Sequence, residues 1–342
     1  MKLAKNLFFS MIADWLKDYI PHKSKTAKTA EAYSKAMAIF RRYVCNVKHV
    51  SMRTFKFRDC SFEFLLDYRN WLMDEKKYKP ATVNHRLTVV KAYYKYAAAR
   101  DPALAQAYLG LTEVPNAPNP ITIRELIEDH NDLKALLHAP HNHTKCERRD
   151  KLILGILYDT AIRAEELVKL SLRDVHIKLE QPYLNIDGKG ARQRMVPITS
   201  NMLPLVEDYI KEFHPEPCDY DEPFIYVCLK GERKRMTVRN IERIVKKYAD
   251  RARETKPNLP DPVYPHMLRR TRATLWYREG VPIETIASLL GHENIETTRA
   301  HYAKPSMEMK RESSERMMAQ YDAEEQEWPQ DDEMLAEEIG IL

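Results

Sequence analysis

Leu290-Gly291-His292-Glu293-Asn294-Ile295-Glu296-Thr297-Thr298-Arg299-Ala300-His301-Tyr302 is the stretch on which the reading of this chain turns. Gly291 fits the left-handed cap that ends a helix running through Glu284-Thr285-Ile286-Ala287-Ser288-Leu289-Leu290. The run on to Tyr302 then has the rhythm of a helix-turn-helix, which gives His292 a structural or DNA-reading role in competition with a chemical one. Tyr302 closes the run ten residues after His292. Most of the 19 tyrosines of a helical chain are core residues, and Tyr302 alone would be read that way.

Three upstream signals change that reading. Arg163 lies in Tyr158-Asp159-Thr160-Ala161-Ile162-Arg163-Ala164-Glu165-Glu166-Leu167, at the entrance of a short helix. There a planar guanidinium can meet an anion that the helix terminus also favours, and Glu166 can hold it in place. Lys189 sits at the tip of a hairpin, between Gly188 and Gly190, flanked by Tyr183-Leu184-Asn185-Ile186-Asp187 and Arg194-Met195-Val196-Pro197-Ile198. His266 and Arg269 share one face of a helix that Pro265 starts. Each has an ordinary reading too: a surface ion pair, a tight turn, a solvated basic helix. Together, one Tyr, one Lys, two Arg and two His are a metal-free set for attacking a phosphodiester. Such a reaction needs a nucleophile, charge stabilisation on the phosphate oxygens and an acid for the leaving oxygen.

The rest of the chain suits a polyanionic partner. Of the 342 residues, 322–342 hold nine acids and no Lys or Arg, so removing them from a net charge of +5 leaves the preceding body at +14. Only 8 glycines among many Ala, Leu, Lys, Arg and Glu residues predict a mainly α protein with a small β-sheet or hairpin. The five cysteines form no Cys-x-x-Cys pair, which fits reduced thiols in a cytoplasmic protein. No run approaches the length of a membrane span; Asp14 and Lys17 interrupt the apolar patch that begins at Leu7.

Helical spacing organises residues 1–112: Ile12, Trp15, Leu16 and Tyr19; then Tyr33, Ala36, Met37 and Phe40; then Val83, Leu87, Val90 and Tyr94 on a helix predicted from Thr82 to Arg100. Arg86, Lys91 and Lys95 lie away from the centre of that last stripe, as candidate phosphate contacts. Residues 101–123 contain four prolines and Asn116-Ala117-Pro118-Asn119-Pro120; we place the linker at 113–123, a second domain at 124–320 and an acidic tail at 321–342. In the second domain, helices are predicted from Asp150 to Asp159, over Glu165–Leu170, and from Asn201, Thr237 and Pro265. His138-Ala139-Pro140-His141-Asn142-His143-Thr144-Lys145-Cys146 has zinc-ligand types but no standard spacing, and reads better as a polar loop.

These motifs, in this order, resemble the catalytic domain of the tyrosine recombinase/integrase family, which includes phage integrases and Xer-type recombinases. The resemblance covers about 150–305, and residues 1–105 look like that family's helical core-binding domain. It implies a two-domain DNA clamp. Tyr302 would attack the scissile phosphate to leave a 3′-phosphotyrosyl link and a free 5′ hydroxyl. Arg163, Arg269, His266 and His292 would contact the phosphate, Lys189 would protonate the leaving oxygen, and Glu166 would support Arg163. It implies no metal, no ATP and no other cofactor. The implied partners are double-stranded DNA recombination sites and further copies of the chain, a dimer on each site and a tetramer in the synapse. In the tail, Met334, Leu335, Ile339 and Leu342 would dock on a neighbouring subunit, with a disordered acidic tail as the alternative.

This chain departs from the family pattern at three places. Ala161 and Glu165 stand where the family often has Gly and Ser, Arg270 stands where a His is common, and the His292-to-Tyr302 spacing is one residue longer than in many members. The expected function is site-specific recombination for a mobile element. The alternatives are Xer-type dimer resolution, a type IB topoisomerase-like enzyme, and a non-catalytic helix-turn-helix regulator, which would have no reason to carry Lys189 and the spaced arginines.

Overall fold

Capping residues decide where the helices begin. The computed structural model describes residues 4, 6–24, 27–120, 125–188, 193–292 and 294–302, with 311, 314, 315 and 337; at 24, 27 and 300–302 the backbone alone is described. The chain divides into two compact units, residues 1–123 and 124–342. In the first, a helical stretch with 3-10 and π turns (Phe8–Met11, Ile12–Asp14, Trp15–Tyr19, Ile20–Ser24) leads into α1 (Ala27–Arg42). Ser61 accepts a hydrogen bond from the Phe64 N–H at the head of α2 (Phe62–Asp74). Pro80 takes the first position of α3 (Pro80–Ala98), where its missing N–H costs nothing, so the helix starts two residues before Thr82.

The apolar spacing becomes an aromatic core. Phe8, Trp15, Phe40, Tyr43, Tyr68 and Tyr93 are fully buried, and Val83, Leu87, Val90 and Tyr94 bring α3 into the same cluster. Tyr93 donates its O–H to the Phe8 carbonyl, which satisfies the phenol inside the core.

The proline-rich stretch contains more structure than its composition predicts. Pro102–Leu104 forms a 3-10 turn, and α4 (Ala105–Thr112) follows it. Val114 and Ala117 are buried, and Asn84 clasps Ala117 from both sides: its Nδ2 donates to the Ala117 carbonyl at 2.9 Å, and its Oδ1 accepts the Ala117 N–H at 2.7 Å. Proline only removes donors; it does not prevent packing at a helix start or in an extended segment. Residues 121–123 lie outside the described residues.

The second unit is α with two small antiparallel sheets. It contains α5 (His130–His138), α6 (Lys145–Asp159), α7 (Ala164–Lys169), a sheet of β1 (Val175–His176), β2 (Tyr183–Asp187) and β3 (Gln193–Pro197), then α8 (Leu203–Phe213), the hairpin β4 (Tyr226–Leu229) and β5 (Glu232–Arg235), α9 (Val238–Arg253), α10 (Pro265–Arg278), α11 (Ile283–Leu290) and α12 (Ile295–Tyr302). Thr144 caps α6 by accepting the Glu147 N–H, which makes the loop from His138 to Thr144 a helix entrance. Among the described residues no group of three metal-ligating side chains comes together. Leu152, Ile153, Ile156 and Leu157 are fully buried and make α6 the spine of this core.

β2 and β3 pair in the register Leu184 with Val196 and Ile186 with Arg194. Directly opposed residues share a face, so Arg194 points the same way as three buried aliphatics. Sequence patterning missed β1 and the β4–β5 hairpin. β1 is two residues long, too short for any period. β5 is charged throughout, and its two-residue turn, Lys230-Gly231, has both φ values positive without the usual Asn or Asp. Among the described residues no helix is long and apolar enough to cross a membrane.

Candidate functional site

Three arginines of the second unit, from the head of α7, from β3 and from α10, gather round the Glu166 carboxylate. Arg163 is the N-cap of α7; its backbone N–H and its Nη1 each donate to Glu166 at 2.8 Å. Glu166 thus supplies the third-residue half of a capping box, accepting the Arg163 N–H, and restrains the arginine. From the sheet, Arg194 reaches the same carboxylate with both terminal nitrogens, at 3.2 and 2.8 Å, while its Nε donates to the Leu289 carbonyl at 3.0 Å. Burial pushes the Glu166 carboxyl up, but hydrogen bonds and charge from Arg194 and Arg163 outweigh it and hold the group below its ordinary value. Glu166 is therefore an anion at neutral pH, although it is buried.

Arg269, one turn into α10, is 1% exposed. Its Nη1 donates to the Ala161 carbonyl at 2.7 Å and its Nη2 to the Leu290 carbonyl at 2.6 Å. Ala161 has φ +50°, a left-handed conformation that costs a Cβ-bearing residue about 1–3 kcal/mol. This is where the family often has glycine, and the strained turn aims its carbonyl at the buried guanidinium.

Gly291, at φ +62°, ends α11 and turns the chain so that His292 lies beside Arg269. Arg269 Nη2 is 3.4 Å from His292 Nε2, and His292 Nδ1 is 2.8 Å from the hydroxyl of Thr298, a fully buried residue of α12. A guanidinium can only donate, so in this contact Nε2 accepts and the proton sits on Nδ1, facing Thr298. Thr298 stands one turn before Tyr302 on α12, whose start is capped by the Asn294 side chain. The Tyr302 side chain lies outside the described part of the structure, as do Lys189 and its neighbours through Arg192.

Arg163, His266 and Arg269 open onto a single cleft of about 200 Å³. Tyr264 lines it as well, and Glu165 and Glu242 are exposed residues of the same cleft. Two guanidinium groups and an imidazole in one small cleft suit an oxyanion with several oxygens, such as a phosphodiester.

Sequence reasoning missed Arg194. The signal was the strand's two-residue period, which puts Arg194 on the inner face with Val196, where a charge needs a partner. In the first unit, Lys91 donates to the carbonyls of Val114 at 2.7 Å and Thr112 at 3.3 Å, and burial lowers its pKa. Arg86 stacks 3.7 Å from the centre of the Tyr78 ring, and Lys95 is exposed. Lys91 therefore closes the end of α4, and of the three only Lys95 extends freely into solvent.

Comparison with known proteins gives a consistent answer. The sequence pattern of the Phage integrase family matches residues 128–309, more than half of the chain, and that of the Phage integrase SAM-like domain matches residues 11–109. The chain is 25% identical over 270 residues to the tyrosine recombinase XerC of Staphylococcus epidermidis, covering 79% of this chain and 84% of that protein. It is 26% identical over 271 residues to the XerC of Staphylococcus aureus, with the same coverage. The fold is shared with XerH site-specific recombinase bound to its difH substrate (TM-score 0.65, 17% identity, 92% of this chain and 97% of that one). It is also shared with the Tn1549 transposon integrase in complex with circular intermediate DNA (TM-score 0.63, 17% identity, 89% and 99%).

Proposed function

We propose that this chain, which belongs to the phage integrase family of tyrosine recombinases, cuts and rejoins specific DNA sites with Tyr302 as nucleophile and the Arg163–His266–Arg269–His292 cluster as the scissile-phosphate pocket. The family cleaves and rejoins DNA through a tyrosine intermediate. The observation that carries the residue assignment is the convergence of Arg163, His266 and Arg269 on one cleft, with His292 bonded to the α12 helix that ends in Tyr302.

In this mechanism the Tyr302 oxygen attacks phosphorus and the bond to the 5′ oxygen breaks. Lys189 gives that oxygen its proton, and His266 accepts the proton of the tyrosine. The two arginines neutralise the charge that builds on the non-bridging oxygens; losing one such donor costs about 10²–10³ in rate. Attack by a 5′ hydroxyl on the phosphotyrosyl ester reverses the step, so the bond energy is conserved and neither ATP nor a metal is required. The two units would clamp a duplex, two chains on each site and four in the synapse.

A mobile element is the reading favoured by the phage integrase pattern and by the transposon integrase with the same fold. The XerC relatives favour dimer resolution as the second reading. The test uses a duplex selected for binding from a random pool, nicked beside the cut site and incubated in chelator without nucleotide. A covalent protein–DNA complex should accumulate, and light scattering of the joined sites should give four chains. Failure to trap any covalent species would refute the assignment. A circular junction spanning the gene's own neighbourhood would support the mobile element, and its absence alongside resolved chromosome dimers would support the second reading.

A further inference from the structure

Tyr264 is a large aromatic residue left 37% exposed at the edge of the phosphate cleft. It sits in extended backbone immediately before Pro265, as the N-cap of α10, and its side chain accepts no helix N–H. Its hydroxyl instead accepts a hydrogen bond from Arg270 Nη2 at 2.7 Å. The same nitrogen donates to the Glu125 carbonyl at 3.0 Å, and the guanidinium lies 5.5 Å from the Tyr264 ring centre.

Arg270 is an unusual residue to bury. It is 4% exposed, and among the described residues its Nε and Nη1 have no hydrogen-bond partner and no carboxylate pairs with it. An uncompensated buried cation is costly, and proteins keep one where its field is used. Here that field falls on the phenol of Tyr264. A hydroxyl that accepts from a cation has its own O–H polarised and left to donate to a further acceptor.

We propose that Tyr264, held and polarised by Arg270, binds a DNA backbone phosphate next to the scissile one, as a second phosphate contact beside the cleft. This rests on reading the cleft as the DNA-cleaving site. The scissile phosphate already has Arg163 and Arg269 as its donors, with His266 and His292 beside them. A strand presents another phosphate about every 3.4 Å of helix axis, and Tyr264 lines the same cleft as Arg163, His266 and Arg269, within reach of such a neighbour. Arg270, where the family commonly has histidine, then supplies fixed positive charge behind that rim.

Tyr264→Phe tests this without disturbing the ring or its packing. Binding would be measured in a Tyr302→Phe background, on duplexes in which single phosphates around the cut site are replaced by neutral methylphosphonates. Tyr264→Phe should weaken binding of the natural duplex about tenfold, the size expected for a hydrogen bond to a charged group. One flanking methylphosphonate should weaken the Tyr264-containing protein by a similar factor and leave Tyr264→Phe almost unaffected. Additive losses at every flanking position, undiminished binding by Tyr264→Phe, or non-additivity only at the scissile phosphate would each overturn the proposal. If the Tyr264-containing protein binds duplex DNA with no dependence on salt, the DNA reading of the cleft fails first, and this contact with it.

Discussion

Replacing Arg194 with methionine should loosen the site and destabilise the second unit in a pH-dependent way. The side chain is 13% exposed, and it ties three elements together: β3, the Glu166 carboxylate of α7 and the Leu289 carbonyl at the end of α11. Removing one partner of a buried ion pair costs about 3–5 kcal/mol. Glu166 would still have the Arg163 N–H and Nη1, which brings the cost to or below the bottom of that range, about 2–3 kcal/mol. In a unit of this size about 1 kcal/mol moves Tm by 2–4 °C, which gives a fall of about 4–12 °C by scanning calorimetry. The folded-state carboxyl of Glu166 lies below its ordinary value of 4.5, so its contribution is complete above that pH and is lost as pH falls through the depressed value. Without Arg194, burial dominates and the carboxyl rises. The Tm gap between the two proteins should therefore be full at pH 7.5 and shrink toward pH 4. Cleavage should drop at least about tenfold because Arg163 loses its fixed support, and Arg194→Lys should not restore it, since a point charge cannot reproduce the two-pronged contact. A Tm within about 1 °C of the unmodified protein, or a gap that is flat with pH, would refute this account of Arg194.

Two further perturbations probe other joints. Thr298→Val keeps the buried shape but removes the partner of His292 Nδ1. It should slow cleavage about tenfold with little change in DNA affinity, Thr298→Ser should recover most of the rate, and an unaltered single-turnover rate in the valine variant would dissociate α12 from His292. Asn84→Leu unfastens Ala117 by deleting two hydrogen bonds, which should cost the first unit about 1–3 kcal/mol in urea unfolding; unchanged stability would show that the clasp contributes nothing.

What could be read from the chain was whatever local geometry dictates. Pro265 at a helix start, Gly291 at a helix end and Glu166 three residues after Arg163 each have a short-range physical reason, and each falls in the structure where that reason puts it. Long-range pairing was hidden. Nothing near Arg194 in sequence announces that its carboxylate partner is 28 residues away, and only its inward strand phase hinted at one. Lys91 read as a free basic residue because its acceptors are carbonyls on a segment that composition labelled a linker. Arg270 stood out in the sequence only as a departure from the family pattern, and its burial on α10 was not legible there.

The identity of the covalently linked tyrosine tests the central claim most directly. The trapped protein–DNA complex would be digested with protease and nuclease, and the nucleotide-bearing peptide sequenced by mass spectrometry. The account predicts a single peptide modified at Tyr302 through the 3′ phosphate of the cut strand, with a free 5′ hydroxyl on the other end. Modification at Tyr264, which also lines the cleft, or a link through a 5′ phosphate, would contradict it.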